Sequence, residues 1–387
     1  MAPDPSQSLS LSTRYTRSIH LVRDYSSPQG IGVRDYQVTP LVLQTLERIV
    51  AGLQPESSAR AFSIIGPYGA GKSAFGVFLA YFLQRSSSGR QRLIAEHSIG
   101  GVPDQSLFEA PPLLPVLVSG NNDSLRSAIL EALARLFDTI RPLRDRRLKL
   151  PRLLGDASQD PDIDPQRVAD LFQETSLLVS QRTAFRGLVL IIDELGQFLD
   201  YAARQRHTSD LFVLQTLAET VARSSTTIDL IVTILHQAFD RYAGSASATR
   251  REEWAKVQGR YIELPFHEPP SQLIRMAGRA LCPSSGDPFA HIRYRWAETV
   301  ADESWHLGLC PADIEQRDWH DIVARAYPLH PTVLLALPHL MRQLAQNERS
   351  LFAFLTSHEP WSVPDFLASV AGDQGTMPIY RLPPVYA

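Results

Sequence analysis

Between residues 40 and 266, short runs of apolar residues alternate with longer segments whose apolar residues recur every third or fourth position. The first pattern predicts buried strands and the second predicts amphipathic helices. The predicted strands cover residues 61–65, 114–118, 187–192, 229–235 and 261–266. Strands that alternate with helices in this way favour a parallel α/β sheet covered by helices on both faces.

The same pattern divides the chain into three parts. Residues 1–35 are polar and irregular, and we expect a flexible N-terminal segment there. Residues 36–266 form the predicted α/β core, whose first helix begins with Thr39 as N-cap and Pro40 at its first position. Within this core, residues 86–112 and 141–165 interrupt the alternation and are expected to be inserted loops. The pattern then becomes helical, which predicts a helical lid or C-terminal domain over residues 267–387.

Composition narrows the class of protein. The chain has 387 residues, of which 44% are hydrophobic and 20% charged, with a formal net charge of −3. These values exclude a disordered, a collagen-like or a disulfide-stapled chain. The N-terminus has no basic start followed by an apolar run, no apolar stretch is long enough to span a membrane, and the only cysteines are Cys282 and Cys310. We therefore expect a soluble cytoplasmic protein.

A phosphate-binding motif follows the first predicted strand of the core. It matches G-x-x-x-x-G-K-[ST] with Gly66, Pro67, Tyr68, Gly69, Ala70, Gly71, Lys72 and Ser73. Glycines in such a loop allow backbone N–H groups to converge on phosphate oxygens at a helix N-terminus. Lys72 would contact the β- and γ-phosphates, and the Ser73 hydroxyl would bind Mg²⁺. The alternative is an ordinary glycine turn before a helix, which would not require the lysine and serine. Lysine is otherwise rare here, since the chain has three lysines and 35 arginines.

A second motif ends the most apolar strand, at Asp193 and Glu194. Asp193 would lie at the carboxyl edge of the sheet, where it can hold Mg²⁺ next to Ser73. Glu194 is placed to polarise an attacking water. The alternative is an acidic helix N-terminus, which the helix dipole favours without any catalytic role.

Two further polar positions occur at strand ends. His236 and Gln237 follow the predicted strand 229–235, and His236 is the preferred candidate of the two. Its side chain could lie between the carboxylates and a γ-phosphate, or could simply cap the strand. Arg260 precedes the last predicted strand, a position suited to stabilising the γ-phosphate of a neighbouring subunit. The alternative for Arg260 is a surface arginine without a functional role.

These features, in this order, resemble the core of the AAA+ ATPases. The resemblance implies an ASCE-type P-loop NTPase core with a five-stranded parallel sheet ordered 5-1-4-3-2, followed by a helical lid. It implies ATP and Mg²⁺ as cofactors and a homo-oligomer in which Arg260 acts in trans. The segment around Val38 would lie against adenine, and Arg349 is the best match for a second sensor arginine.

A narrower resemblance extends further along the chain, to the ATPases of BREX-type and related bacterial phage-defence systems. It rests on the two motifs and on Leu235-His-Gln-Ala-Phe239, Glu252-Glu-Trp-Ala-Lys-Val-Gln-Gly-Arg260, Tyr327-Pro-Leu-His-Pro331 and Gln346-Asn-Glu-Arg-Ser-Leu-Phe352. This resemblance implies a role in prokaryotic antiviral defence or DNA transactions, with an effector protein as a further partner.

One basic stretch suggests a nucleic-acid partner. Six cations fall within twelve residues, at Arg141, Arg144, Arg146, Arg147, Lys149 and Arg152. They could contact the backbone of double-stranded DNA. They could equally form a solvated loop, because an acidic run follows directly at 156–164 and no aromatic residue interleaves with the arginines.

The sequence thus predicts Mg²⁺-dependent ATP hydrolysis coupled to oligomerisation and conformational change. A switch that binds ATP stably and recruits an effector with little turnover is the alternative. Glu194 favours turnover, whereas the absence of an unambiguous second sensor favours the switch.

Overall fold

The computed structural model of the chain describes residues 9–11, 19–27, 33, 36–54, 56–120, 124–205, 209–237, 256–283, 290–343, 354–355, 360–370 and 378–381. The strands are β1 (Leu9–Leu11), β2 (Ala61–Ile65), β3 (Leu114–Ser119), β4 (Leu188–Asp193), β5 (Leu230–Leu235), β6 (Ile262–Pro265) and β7 (Leu281–Pro283). The helices are α1 (Leu21–Tyr25), α2 (Pro40–Ala51), α3 (Lys72–Gln84), α4 (Ser87–His97), α5 (Ser106–Glu109), α6 (Leu125–Thr139), α7 (Leu150–Ser158), α8 (Pro165–Arg182), α9 (Leu195–Gln205), α10 (Ser209–Arg223), α11 (Pro270–Ala280), α12 (Ala290–His306), α13 (Gln316–Arg325), α14 (Pro331–Gln343) and α15 (Val363–Val370).

A five-stranded parallel sheet forms the core, with the strands in the order β3-β4-β5-β2-β6. Strand β2 lies between β5 and β6, so Ile65 stands opposite both Leu235 and Pro265. Strand β4 pairs with β3 in a register that sets Asp193 opposite Ser119. Counted from β2 to β6, the order is 5-1-4-3-2. The predicted fold class, an α/β P-loop NTPase core followed by a helical region, is therefore confirmed.

Helices cover both faces of this sheet. Along β4, alternate side chains belong to two different apolar clusters: Leu190 and Ile192 lie in one, Val189 and Ile191 in the other. The first cluster is closed by residues of α6, α8 and α10, and the second by residues of α1, α2 and α3. A strand buried on both faces is apolar at every position, which explains why 188–192 is so apolar in sequence.

The predicted inserted loops are wrong, because both stretches contain helices. Residues 86–112 hold α4 and α5, and residues 141–165 hold a 3-10 turn (Arg141–Leu143) and α7. Helix α4 buries only Arg90, Leu93 and Ile94, so its apolar face is too short to give a clear helical period. Helix α7 is also short and has Pro151 in its first turn, where proline is tolerated.

The N-terminal segment also differs from the prediction of an irregular, flexible stretch over 1–35. Residues 9–11 form β1, which pairs antiparallel with β7. Residues 21–25 form α1, in which Leu21 and Asp24 are buried.

The described residues form two units by their contacts. One comprises 19–66 and 71–266 and contains the sheet; the other comprises 1–18, 67–70 and 267–387. In the second unit α12 packs on α13, where Trp319 is fully buried and donates its indole N–H to Ser304 Oγ at 2.9 Å. In the described ranges, no helix combines the length and apolar character needed to cross a membrane.

Candidate functional site

The phosphate-binding motif begins at a glycine that the sheet holds in place. Gly66 N–H donates to Leu235 O at 3.3 Å, at the end of β5. A Cβ at Gly66 would stand 2.0 Å from the backbone oxygen of Phe266, so no larger residue fits without moving β6. The start of the loop is thus fixed between two strand ends, at the carboxyl edge of the sheet.

Left-handed backbone at two later glycines turns the chain into helix α3. Gly69 has φ 81° and Gly71 has φ 74°, a region that residues with a Cβ rarely adopt. Gly71 is the N-cap of α3, and its carbonyl accepts the first helical hydrogen bond, from Phe75 N at 2.9 Å. The intervening residues make a tight turn in which Ala70 N donates to Pro67 O, and the Tyr68 side chain is exposed.

Lys72 is buried at the first position of α3. Its Nζ donates to the carbonyl oxygen of Gly66 at 2.7 Å, so the ammonium group folds back over the start of the loop. Its charge lowers the pKa values of Asp193, Glu194 and His236. The lysine therefore lies within electrostatic range of the predicted polar residues at the ends of β4 and β5.

Asp193 and Ser73, the two predicted Mg²⁺ ligands, are brought together. The Ser73 side chain hydrogen-bonds to the Asp193 carboxylate, and Glu194 N donates to Asp193 Oδ1 at 2.9 Å. Burial raises the pKa of Asp193, and the two hydrogen bonds and the charges of Lys72 and His20 oppose that rise. The sheet thus buries a carboxylate and surrounds it with donors and cations.

Glu194 stands at the transition from β4 to α9 with an unusual backbone. Its φ is 52°, in the left-handed region, which costs a residue with a side chain about 1–3 kcal/mol. Gln197 Nε2 donates to Glu194 Oε2 at 2.7 Å. A Cβ at Gly120, directly after β3, would come within 2.9 Å of Glu194 Cβ. Glu194 can therefore adopt this conformation only because residue 120 is a glycine. Loss of solvent and the charge of Asp193 raise the pKa of Glu194, while His20 and Lys72 lower it.

His236 lies directly after β5 and is half-buried. Burial lowers the pKa of its imidazole, and the charge of Lys72 lowers it further against the opposing effect of Asp200 on α9. A neutral imidazole at this edge can donate one hydrogen bond without adding charge. His236 is therefore within electrostatic range of Lys72, and its position between the carboxylates and a γ-phosphate stays a prediction.

The segment predicted to contact adenine is packed against, and hydrogen-bonded to, other residues of the same chain. Val38 is fully buried, its N–H donates to His97 O at 2.9 Å, and its carbonyl accepts from Ile99 N at 3.0 Å. Tyr36 stacks on Phe78 with ring centroids 4.7 Å apart. Both backbone groups of Val38 are thus paired, one with the last residue of α4 and the other with Ile99, which follows the helix. The contact of Val38 with adenine stays a prediction. Such a contact would have to use the apolar side chain of Val38 or its neighbouring residues, because the backbone groups of Val38 are already paired.

Arg260 forms an ion pair within its own chain. Its Nη2 lies 3.0 Å from Glu219 Oε1 of α10, and about half of the arginine side chain is exposed. Glu219 also accepts from Arg223 and from Gln215. Glu219 therefore orients the guanidinium of Arg260, and this ion pair was not predicted from the sequence. Arg349, the predicted second sensor, lies outside the described residues.

Three residues at the site were not predicted from the sequence. His20 and Gln197 contact or influence Asp193 and Glu194, and Gly120 leaves space for Glu194. Gln197 is three positions after Glu194, a spacing that predicts contact on a helix. His20 carried no such signal, because it approaches from a segment far away in sequence.

Comparison with known proteins gives only remote similarity. No family model matches the chain, and no curated protein matches it in sequence. Two solved structures from Aeropyrum pernix are similar in fold, the ORC2 protein in ADPNP–ADP complexes and the ORC1 protein in complex with DNA. The first is 13% identical, with 82% of this chain and 72% of that chain covered and a TM-score of 0.37. The second is 13% identical, with 80% and 62% covered and a TM-score of 0.34, so this chain spans less than two thirds of it. Scores this low carry no argument about activity, and the proposals below rest on the geometry of this chain.

Proposed function

We propose that the protein hydrolyses ATP with Mg²⁺. The observation that carries the proposal is the convergence of Lys72, Ser73, Asp193 and Glu194 at the carboxyl edge of the sheet, after β2 and β4, which lie on either side of β5. A cation, a hydroxyl and two carboxylates in that arrangement suit a nucleoside triphosphate and its metal ion. The backbone of Phe266 leaves no space for a Cβ at Gly66, so the start of the loop is fixed against the sheet.

The residues that would hold the metal fit it. Ser73 and Asp193 already contact each other, and a hydroxyl with a carboxylate is the hard oxygen donor set that Mg²⁺ prefers. When bound, Mg²⁺ supplies charge neutralisation on the β- and γ-phosphate oxygens. Lys72 adds a positive charge from the other side, and its Nζ would exchange the Gly66 carbonyl for phosphate oxygen.

Glu194 supports turnover over stable ATP binding. One carboxylate oxygen is held by Gln197, which leaves the other to accept a proton from water. A raised pKa brings a carboxylate closer to the operating pH, which improves its efficiency as a general base. A switch that binds ATP with little turnover remains the alternative function, and measured turnover separates the two.

Assembly and partners complete the proposal. Arg260 would act on the γ-phosphate of a neighbouring subunit in a homo-oligomer.

Each cation of the basic stretch 141–152 is exposed, and Arg152 forms an ion pair with Asp156 at 3.8 Å. This stretch would contact the backbone of double-stranded DNA. The proposed setting is cytoplasmic, in prokaryotic antiviral defence or DNA transactions, with an effector protein as a further partner.

Replacement of Lys72 tests the nucleotide site. Lys72→Ala should lose ATP binding at micromolar concentrations, because the charge that faces the β- and γ-phosphates is removed. Isothermal titration of ATP with Mg²⁺ measures the loss, and Lys149→Ala, which removes an exposed lysine, should bind as the wild type does. ATP turnover of the wild type, with and without double-stranded DNA, completes the experiment. Wild-type affinity in folded Lys72→Ala would contradict the proposed site.

A further inference from the structure

Helix α1 places a histidine at the end of α3 that carries the phosphate-binding motif. At its first residue, Leu21 Cδ1 lies 3.1 Å from where a Cβ at Gly76 would stand, one turn into α3. At its last residue, the carbonyl of Tyr25 accepts from Tyr81 Oη at 2.9 Å. Helices α1 and α3 therefore run in the same direction. His20, immediately before α1, lies toward the start of α3, where Lys72 and Ser73 are.

Local hydrogen bonds define which ring nitrogen of His20 can donate. His20 is the N-cap of α1, and its Nδ1 accepts from Arg23 N at 3.4 Å, a long bond. Its backbone N–H donates to the buried carboxylate of Asp24 at 2.6 Å. An accepting Nδ1 carries no proton, so the proton of the neutral ring is on Nε2. The cap thus leaves an N–H donor on an exposed imidazole.

Electrostatics agree with this placement. In its protonated form, in which Nε2 also carries a hydrogen, His20 lowers the pKa of Asp193 and also the pKa of Glu194. An exposed charge acts on a second group over a limited range, because water and salt screen the interaction. His20 is therefore within electrostatic range of both carboxylates, in agreement with its place toward the start of α3.

We propose that His20 contacts the γ-phosphate of the bound nucleoside triphosphate through Nε2–H. The inference rests on the proposed function, since it assigns a further residue to the same site. It makes the preference for ATP over ADP depend on a short helix outside the parallel sheet. An N-cap without a role in binding is the competing explanation for His20.

His20→Ser separates these explanations, because serine is an equally good N-cap but cannot extend a donor to the phosphate. We expect the affinity for AMP-PNP with Mg²⁺ to fall about tenfold, the size of one hydrogen bond to a charged group, while the affinity for ADP stays within about twofold. His20→Gln, whose amide also donates, should recover part of the loss. Arg23→Ser, which removes a cation from the same helix, should leave the ratio of the two affinities unchanged. Titration calorimetry of the full chain measures all four proteins.

The outcomes distinguish this inference from the proposed function. If the wild type binds neither nucleotide, both are wrong. If the wild type binds both nucleotides and His20→Ser keeps the wild-type affinity ratio, or weakens AMP-PNP and ADP equally, only the role of His20 is overturned. Thermal unfolding of each variant shows whether the cap is intact, so that an equal loss for both nucleotides is assigned to the fold.

Discussion

Glu194 shows how far single residues can be understood from sequence. Its place after a buried strand and Asp193 predicted a carboxylate at the carboxyl edge of the sheet, and the structure has it there. Its left-handed backbone and its hydrogen bond to Gln197 were not predicted. Such features depend on how β3 and α9 pack around the residue, which no local pattern encodes. Gly120 is the clearest example, since its small size matters only because Glu194 is next to it in space.

Glu194→Gln should keep ATP bound and lower kcat by about 10²–10⁴-fold, because the amide preserves shape but cannot accept a proton from water. Steady-state turnover and calorimetry on the same preparation measure the two effects. Glu131→Gln, a substitution at an exposed carboxylate that pairs only at 3.9 Å with Arg135, serves as the control. Turnover at the wild-type rate in Glu194→Gln would show that another group activates the water.

At the scale of elements, the five strands of the parallel sheet were predicted well, whereas β1, β7 and the short helices α4 and α7 were not. The strands at 61–65 and 114–119 agree with their predicted bounds to within one residue, because burial on both faces makes them continuously apolar. Helices α4 and α7 were taken for loops. Helix α4 is held by a polar residue, Arg90, whose environment is formed by residues distant in sequence. A search for apolar periodicity cannot detect an element stabilised in this way.

Arg90 links α4 to the end of α3 and to the residues that precede β3. Its fully buried guanidinium donates to Phe82 O and Leu83 O at the end of α3, and to Ala110 O and Pro111 O before β3. Burial lowers the pKa of Arg90 to about 10. Phe82 O and Leu83 O also accept from Arg85 N and Leu113 N, so the guanidinium is a second donor to these two carbonyls and links them to Ala110 O and Pro111 O.

Arg90→Ala should lower the free energy of unfolding by about 3–5 kcal/mol, because Ala110 O and Pro111 O lose their donor and the loss of a large, fully buried side chain leaves a cavity. Arg90→Lys should recover little, since one ammonium group cannot reproduce the planar fork. Arg92→Ala, on the exposed side of the same helix, should change stability by less than about 0.5 kcal/mol. Urea unfolding followed by circular dichroism measures all three. Equal stability of Arg90→Ala and Arg92→Ala would contradict the structural role of Arg90.

At the scale of the whole molecule, the strand order of the parallel sheet was predicted from the phosphate-binding motif, the Asp193-Glu194 motif and their resemblance to AAA+ ATPases. Parallel strands that alternate with helices leave few topologies, and a phosphate loop after the first strand selects among them. The division near residue 267 was indicated by a change in pattern, and the two units separate at that residue. Residues 67–70 group with the second unit, which no sequence pattern could indicate, because contacts between distant segments decide it.

Arg260 gives the prediction that belongs to the assembled protein. In the single chain it pairs with Glu219, which fixes the direction of a guanidinium that is otherwise half-exposed. If this fork stabilises the γ-phosphate of a neighbour, Arg260→Ala should lose turnover while each subunit still binds ATP. Specific activity of the wild type should rise with protein concentration. Arg223→Ala, which removes the other arginine on Glu219, should keep wild-type turnover and serves as the matched control.

Mixing two inactive variants tests the direction of action across the interface. In a mixed oligomer, an Arg260→Ala subunit retains Glu194 and can receive the arginine of a Glu194→Gln neighbour. Part of the turnover should therefore return when Arg260→Ala and Glu194→Gln are combined, although each alone is nearly inactive. Analytical ultracentrifugation of differently labelled proteins establishes whether they assemble together. If they do and no activity returns, Arg260 does not act in trans. A switch that binds ATP without turnover then becomes the better account of the chain.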